Sequence, residues 1–281
     1  MYTQKIYALI LRVLIVLAVL DFLLNSLFRC RSELRFGKSS STMDSHWPKT
    51  LTAIKKHNEK LIESLASYDG TSCASDKRKI FNIGLPRTGT MSFTKVLAQF
   101  GFRSCHPFPE KTWTFKEVQS FIKNPRSASS RAIRAQLSKC DAFSDTPIYG
   151  MMEQLLEYYP DARFVMTTRK RITWEDSCKR LMEYKCKRLG RNYIDFTIYY
   201  YGTKCWDEMR WREAYNTHAL KVSKVFGSQV LYIPVELPDP EKLMFLSRYL
   251  KCPLKNVTSY IHKQHALGSQ TKPGGSGIEK F

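Results

Sequence analysis

The run Gly84-Leu85-Pro86-Arg87-Thr88-Gly89-Thr90-Met91-Ser92 stands between a short apolar segment and an amphipathic one. Glycines there let backbone N–H groups approach a phosphate, and the N-terminus of a following helix adds its dipole. Thr90 and Ser92 add hydroxyl donors. A nucleoside triphosphatase would close such a loop with Gly-Lys-Ser/Thr. Here Gly89 is followed by Thr90, and the cation comes earlier, at Arg87. Downstream, Arg169 ends the apolar run Phe164–Thr168, and Ser177 follows eight residues later. A guanidinium fork at a strand end and a hydroxyl in the next helix can converge on one phosphate. His106, 19 residues after Arg87, is a candidate general base, with Asp145 and Glu110 as alternates. Each feature also has a plain structural explanation: a capped strand–helix turn for the loop, a core or surface residue for His106.

The elements that must position these residues alternate. Strands are predicted at Lys79–Ile83, Phe102–Cys105, Ala142–Ser144, Arg163–Thr168 and Gln229–Pro234. Helices are predicted at Met91–Phe100, between Glu110 and Ser138, at Ile148–Tyr159, 170–189, 206–226 and Glu241–Leu250. Such alternation implies an α/β fold, a parallel sheet covered by helices on both faces. The loop then lies at a strand end, where a ligand crevice is expected.

The loop resembles the 5′-phosphosulfate loop of the sulfotransferase superfamily, and Arg169 and Ser177 match its 3′-phosphate pair. Asp145-x-Pro147 and Tyr159-Pro160-Asp161-Ala162 lie between them, and the resemblance covers roughly residues 79 to 180. It implies a P-loop-like sulfotransferase fold and transfer of a sulfuryl group from 3′-phosphoadenosine-5′-phosphosulfate (PAPS) to a hydroxyl or amine. It assigns Pro86, Arg87, Thr88, Gly89, Thr90, Met91, Ser92, Arg169 and Ser177 to the donor. Arg87 would stabilise charge on the leaving oxygen, and His106 or Asp145 would take the acceptor's proton. No metal is implied, because fixed cations do the neutralising. The C-terminal Arg-Lys-Gly motif of the cytosolic members is absent, which points to the membrane-bound Golgi branch.

Charge and hydropathy bound the rest. Forty-five Lys and Arg against 25 Asp and Glu give +20, which favours anionic partners. An acidic glycan is one acceptor that such a surface suits; no nucleic acid is expected. From Ile6 to Phe28 all residues but Arg12, Asp21, Asn25 and Ser26 are apolar, long enough to span about 30 Å of hydrocarbon. We therefore expect a cytoplasmic tip and signal anchor over 1–28, a stem over 29–76, a catalytic domain over 77–267 and a flexible tail over 268–281. A type II Golgi membrane protein with a lumenal body is expected from the resemblance and the sequon Asn256-Val-Thr258. Arg29, Arg31, Arg35 and Lys38 lean the other way. Leu51, Ile54, Leu61, Ile62 and Leu65 share a helical face, either of a free stem helix or of a helix packed on the main domain.

The eight cysteines carry no zinc spacing, and their pairing is open. Cys178 and Cys186 lie about 12 Å apart along one helix, too far to bond. Two rival functions remain at this stage. One is a kinase or NTPase in which Asp145 would hold magnesium. The other is a non-catalytic polyanion-binding membrane protein using 169–191, where nine Lys and Arg face three Asp and Glu.

Overall fold

Five short strands, β1 (Ile80–Asn82), β2 (Ser104–Cys105), β3 (Ala142–Phe143), β4 (Arg163–Thr168) and β5 (Leu231–Pro234), form one sheet in the order β2-β3-β1-β4-β5. Every pairing is parallel, with Phe81 beside Phe143 and Phe164, and Val165 beside Leu231. The computed structural model describes residues 47–65, 78–106, 113–186 and 191–254. The helices are α1 (Trp47–Ser64), α2 (Thr90–Gln99), α3 (Phe115–Lys123), α4 (Arg131–Leu137), α5 (Met152–Tyr158), α6 (Arg171–Lys185), α7 (Arg191–Tyr201), α8 (Glu208–Phe226) and α9 (Asp239–Leu250).

Period-two alternation explains why both faces are covered. Ile80, Ala142, Val165, Leu231 and Ile233 point to one face, where α1, α2 and α9 pack on them. Phe81, Ile83, Phe143, Phe164 and Met166 point to the other, against α3, α4, α5, α7 and α8. All six residues of β4 are buried, as a parallel strand between helical layers requires.

Several expectations shift. Residues 148–159 divide into a 3₁₀ turn, Ile148–Gly150, and the shorter α5. The interval between Glu110 and Ser138 resolves into α3, held by a Thr114/Glu117 capping box, a 3₁₀ turn and α4. Helix α7 occupies residues to which the sequence assigned no element. Of the two placements open for α1, the structure has the packed one. Leu61 and Ile62 enter the core, His57 Nε2 bonds Val230 O at 2.9 Å, and Asn58 brackets the Tyr232 backbone. This helix therefore belongs to the sheet's own layer rather than to the 29–76 stem.

Cystines join Cys105 to Cys140 and Cys186 to Cys205, while Cys178 is free and buried. Among the described residues no helix is long and apolar enough to cross a membrane. The anchor expected at 1–28, the sequon at Asn256, the tail over 268–281 and Glu110 lie outside the described residues.

Candidate active site

Strand β1 reads Ile-Phe-Asn, and the asparagine is the unusual member: fully buried in an otherwise apolar stretch. Its side chain organises the strand ends. Asn82 Oδ1 accepts from the N–H groups of Gly84 and Thr167 at 3.0 and 3.1 Å, and its NH₂ donates to Ser144 Oγ at 3.1 Å. Three strands are thereby locked at the point where the loop leaves the sheet. Gly84 passes so close to β4 that a Cβ would lie 2.2 Å from Thr167 Oγ1 and 2.3 Å from its carbonyl oxygen. No larger residue fits there.

Beyond it the loop is fixed from three sides. Thr88, 2% exposed, donates to Leu85 O at 2.6 Å and meets Thr167 Oγ1 at 2.8 Å. Trp174 of α6, fully buried, donates its indole N–H to Pro86 O at 2.8 Å. Arg87 holds φ of 71°, a left-handed conformation that a non-glycine residue adopts at some cost, as at many functional sites. Gly89 caps α2, and the helix carries no acid of its own in the first turn. Met91 is half exposed and brings no polar group, whereas Thr90 and Ser92 are buried.

The expected anion pair assembles against this loop. Arg87 Nε donates to Ser177 Oγ at 3.0 Å, and Arg169 donates to Arg87 O at 3.4 Å. Arg169 is held from behind, its Nε on Thr173 Oγ1 and its carbonyl accepting from Tyr215 OH. Burial lowers the Arg169 pKa from its usual value; Glu236 offsets part of this, and the charges of Arg87 and Arg180 add to it. Cations that disfavour one another in this way gain from an anion between them. The donor set thus fits a phosphorylated nucleotide: a cradle without room for a Cβ, a helix N-terminus, and two guanidinium groups with a hydroxyl.

A second cluster forms across α2. His106 Nε2 lies 3.0 Å from both Asp145 Oδ2 and Thr90 Oγ1, and Thr90 donates to the same carboxylate oxygen at 3.1 Å. Asp145 Oδ1 accepts from the N–H of Thr146 at 2.7 Å. Burial raises the Asp145 pKa, but the hydrogen bond and charge of His106, with Thr146 and Thr90, outweigh it. The carboxyl is held below the usual carboxylate range. Asp145, like Arg87, has positive φ, at 68°.

The structure therefore brings together the loop with Arg169 and Ser177, and His106 with Asp145 and Thr90. Sequence reasoning missed Asn82, Thr167 and Trp174 as supports, and missed the wall of rings beside Arg87. A narrow cleft runs there between Tyr149, Leu181, Phe196, Tyr201 and Trp211. The polar residue inside an apolar strand at Asn82, and the dense run Phe196-Thr-Ile-Tyr-Tyr-Tyr201, were the available signals. Among the described residues no group of three or more His, Cys, Asp or Glu is arranged to hold a metal ion.

A parallel sheet with this loop at its centre and this anion pair defines a group-transfer enzyme of the P-loop-like kind. The chain belongs to the sulfotransferase-domain family, whose model matches residues 79–233, more than half of its length. It is also similar to a protein of Aspergillus versicolor named Ava biosynthesis cluster protein M. The two are 25% identical over 112 residues, 37% of this chain and 43% of that protein, so the chain spans less than half of that relative's length.

Proposed function

We propose that this protein transfers a sulfuryl group from PAPS to a hydroxyl of an acceptor. The observation that carries the reading is the convergence of Arg87, Arg169 and Ser177 on the loop at the head of α2. The donor, when bound, supplies an activated sulfuryl group on a phosphate bridge. The loop N–H groups and Thr90 would hold its 5′-phosphate, and Arg169 with Ser177 its 3′-phosphate. The guanidinium of Arg87, tethered through Nε to Ser177 Oγ, would stabilise the negative charge that grows on the bridging oxygen.

Proton removal falls to His106 with Asp145. Both carboxylate oxygens already accept hydrogen bonds, Oδ2 from Thr90 and His106 and Oδ1 from Thr146. An ionised carboxylate accepts only, so His106 Nε2 carries the hydrogen and its lone pair lies on Nδ1. Nδ1 is the basic atom, and Asp145 orients the ring and steadies the charge it gains, a role known from catalytic triads.

The reading extends to the compartment. The Cys105–Cys140 and Cys186–Cys205 cystines are bonds that an oxidising lumen maintains, and together with the sequon they support a Golgi-lumenal body on a type II anchor.

Calorimetry with adenosine 3′,5′-bisphosphate tests the donor assignment. Arg169→Ala removes one charge-assisted contact present before and during transfer, so affinity should fall about tenfold to a hundredfold while turnover at saturating donor changes little. Unchanged affinity in the variant, or no binding by the parent, would overturn the reading.

A further inference from the structure

Three neighbouring strands each deliver one polar side chain to the same point. In the row β2-β3-β1, His106 directly follows β2, and Asp145 stands two residues past β3. Thr90 follows β1 by way of the loop, as the first residue of α2. Asp145 Oδ2 lies 3.0 Å from His106 Nε2 and 3.1 Å from Thr90 Oγ1, and the 3.0 Å between Nε2 and Oγ1 closes a triangle. Thr90 is itself anchored. It is 4% exposed, and its carbonyl accepts from Thr94 Oγ1 at 3.0 Å and from Ser144 Oγ at 3.4 Å. Ser144 is in turn held by Asn82 at 3.1 Å, so the place of Thr90 is tied to the ends of β1 and β3.

Sequence alone reads the Thr90 hydroxyl as a donor to phosphate, but the geometry spends it elsewhere. A threonine hydroxyl has one hydrogen, and an ionised carboxylate only accepts. The hydrogen of Thr90 therefore goes to Asp145 Oδ2. The ionised oxygens of a phosphate also only accept, and one hydrogen cannot serve both. What Thr90 offers the loop is its backbone N–H. In the first turn of a helix that group has no intrahelical partner, and the first such bond of α2 runs from Phe93 N–H to Gly89 O at 3.0 Å.

We infer that Thr90 is a positioning residue for proton removal, its hydroxyl holding the Asp145 carboxylate and the His106 ring in register. The inference rests on the sulfuryl-transfer reading, and it moves one hydroxyl of that reading from the donor to the base. Thr90 and His106 donate to Oδ2, and Thr146 donates to Oδ1 through its N–H at 2.7 Å and its hydroxyl at 3.3 Å. Four such bonds keep a buried carboxylate ionised, which is the state that steadies a protonated imidazole. They also set its aim, because the terminal torsion of an aspartate is broad and does not set it alone. Thr90 Oγ1 gives the His106 N–H a second acceptor as near as the carboxylate. The ring thus keeps its hydrogen on Nε2 through small rotations, and its lone pair stays on Nδ1.

Thr90→Val keeps the branched shape and the N–H and removes the hydroxyl. Turnover at saturating donor should fall about tenfold or more, the loss expected for one hydrogen bond to a charged group. Affinity for adenosine 3′,5′-bisphosphate, by calorimetry, should stay within about twofold, since no contact to it is lost. Thr90→Ser restores the hydroxyl and should return turnover to within about threefold of the parent. On a His106→Ala background, Thr90→Val should cost less than about twofold more, because groups acting as a unit are not additive. Unchanged bisphosphate affinity shows that a variant folds; Thr90→Ala, read in the same way, serves if the valine variant does not. A tenfold or larger loss of bisphosphate affinity in Thr90→Val would assign the hydroxyl to the donor and overturn the inference. Unchanged turnover, or the full loss again on the His106→Ala background, would overturn it equally. Failure of the parent to bind bisphosphate would sink the sulfuryl-transfer reading and not the pairing. Denaturant unfolding of Thr90→Val, Asp145→Ala and the double variant then decides the pairing. Their effects on the unfolding constant should depart from additivity by about threefold or more. Additive effects would overturn the inference whatever the reaction.

Discussion

Asp145 was legible as a candidate base but not as the partner of His106, because 39 residues of sequence separate them and only the fold closes the gap. Their pairing changes what substitution should do. Asp145→Asn leaves the shape intact but offers an NH₂ group where His106 donates. The imidazole then turns its Nε2 lone pair toward that NH₂ and places its hydrogen on Nδ1, where it cannot accept a proton. Turnover should fall by roughly 10²–10⁴, the range for losing a general base. His106→Ala should fall comparably, and the double variant little further than either single one, because groups acting as a unit are not additive. Steady-state rates at saturating donor, with bisphosphate affinity as control, decide this. Additive losses would separate the two residues and return Asp145 to an independent role. Arg87→Ala tests the other end of the site: about a hundredfold or more in turnover, with Arg87→Lys keeping part of it. Loss of turnover in Arg87→Ala would also exclude a non-catalytic polyanion binder, for which Arg87 would not matter.

At the scale of elements, α8 carries a residue that couples the site to pH. His218 is buried under the loop, its Nε2–H donating to Ile83 O at 2.7 Å and its ring edge-on to Tyr149. Burial lowers its pKa to about 4, the Ile83 carbonyl pulling weakly the other way. The unfolded chain protonates this histidine near 6.5, so between about 6.5 and 4 the unfolded state binds more protons. Stability from this group is full above pH 6.5 and drains as pH falls to 4, on the order of 3 kcal/mol in all. His218→Gln keeps the donor and removes the titration. Denaturant unfolding at pH 7 and pH 4.5 should show a smaller loss for the variant than for the parent; equal losses would show that His218 is not the group responsible.

The same scale shows what sequence could and could not tell. Five strands and most helices were readable because alternation and periodicity are local. Helix α7 was not, since a run of tyrosines and a phenylalanine carries β preference as strongly as helical, and it becomes a helix by packing Phe196 against Phe115 and Tyr200 against Gly150. The strand order also left no local trace, because crossovers are set by which apolar faces meet. The loop with Arg169 and Ser177 was legible because it sits in contiguous motifs. The ring-walled cleft beside Arg87 was not, because a turn and two helices contribute its rings from separate stretches of sequence.

Over the whole molecule, the cystines bear on where the protein works. Cys105 precedes His106 directly and bonds Cys140, which ends the segment after α4; the bridge pins the strand end that leads into His106 to the edge of β3. The reducing pools of the cytosol oppose such bonds, whereas a secretory lumen maintains them. The apolar run Ile6–Phe28 and the sequon at Asn256 agree with a lumenal body, and the arginines after residue 28 disagree, since flanking cations are retained on the cytoplasmic side. Covalent chemistry distinguishes the two directly. In intact microsomes from expressing cells, the C-terminus should resist added protease, and endoglycosidase should increase the mobility of the chain unless Asn256 is replaced. Cys105 and Cys140 should escape alkylation until a reductant is added, and reduction should lower turnover more than bisphosphate affinity, because the bridge supports His106 and not the loop. Protease access to the C-terminus together with free alkylation of Cys105 would put the body in the cytosol and leave the Cys105–Cys140 bond without a compartment to keep it.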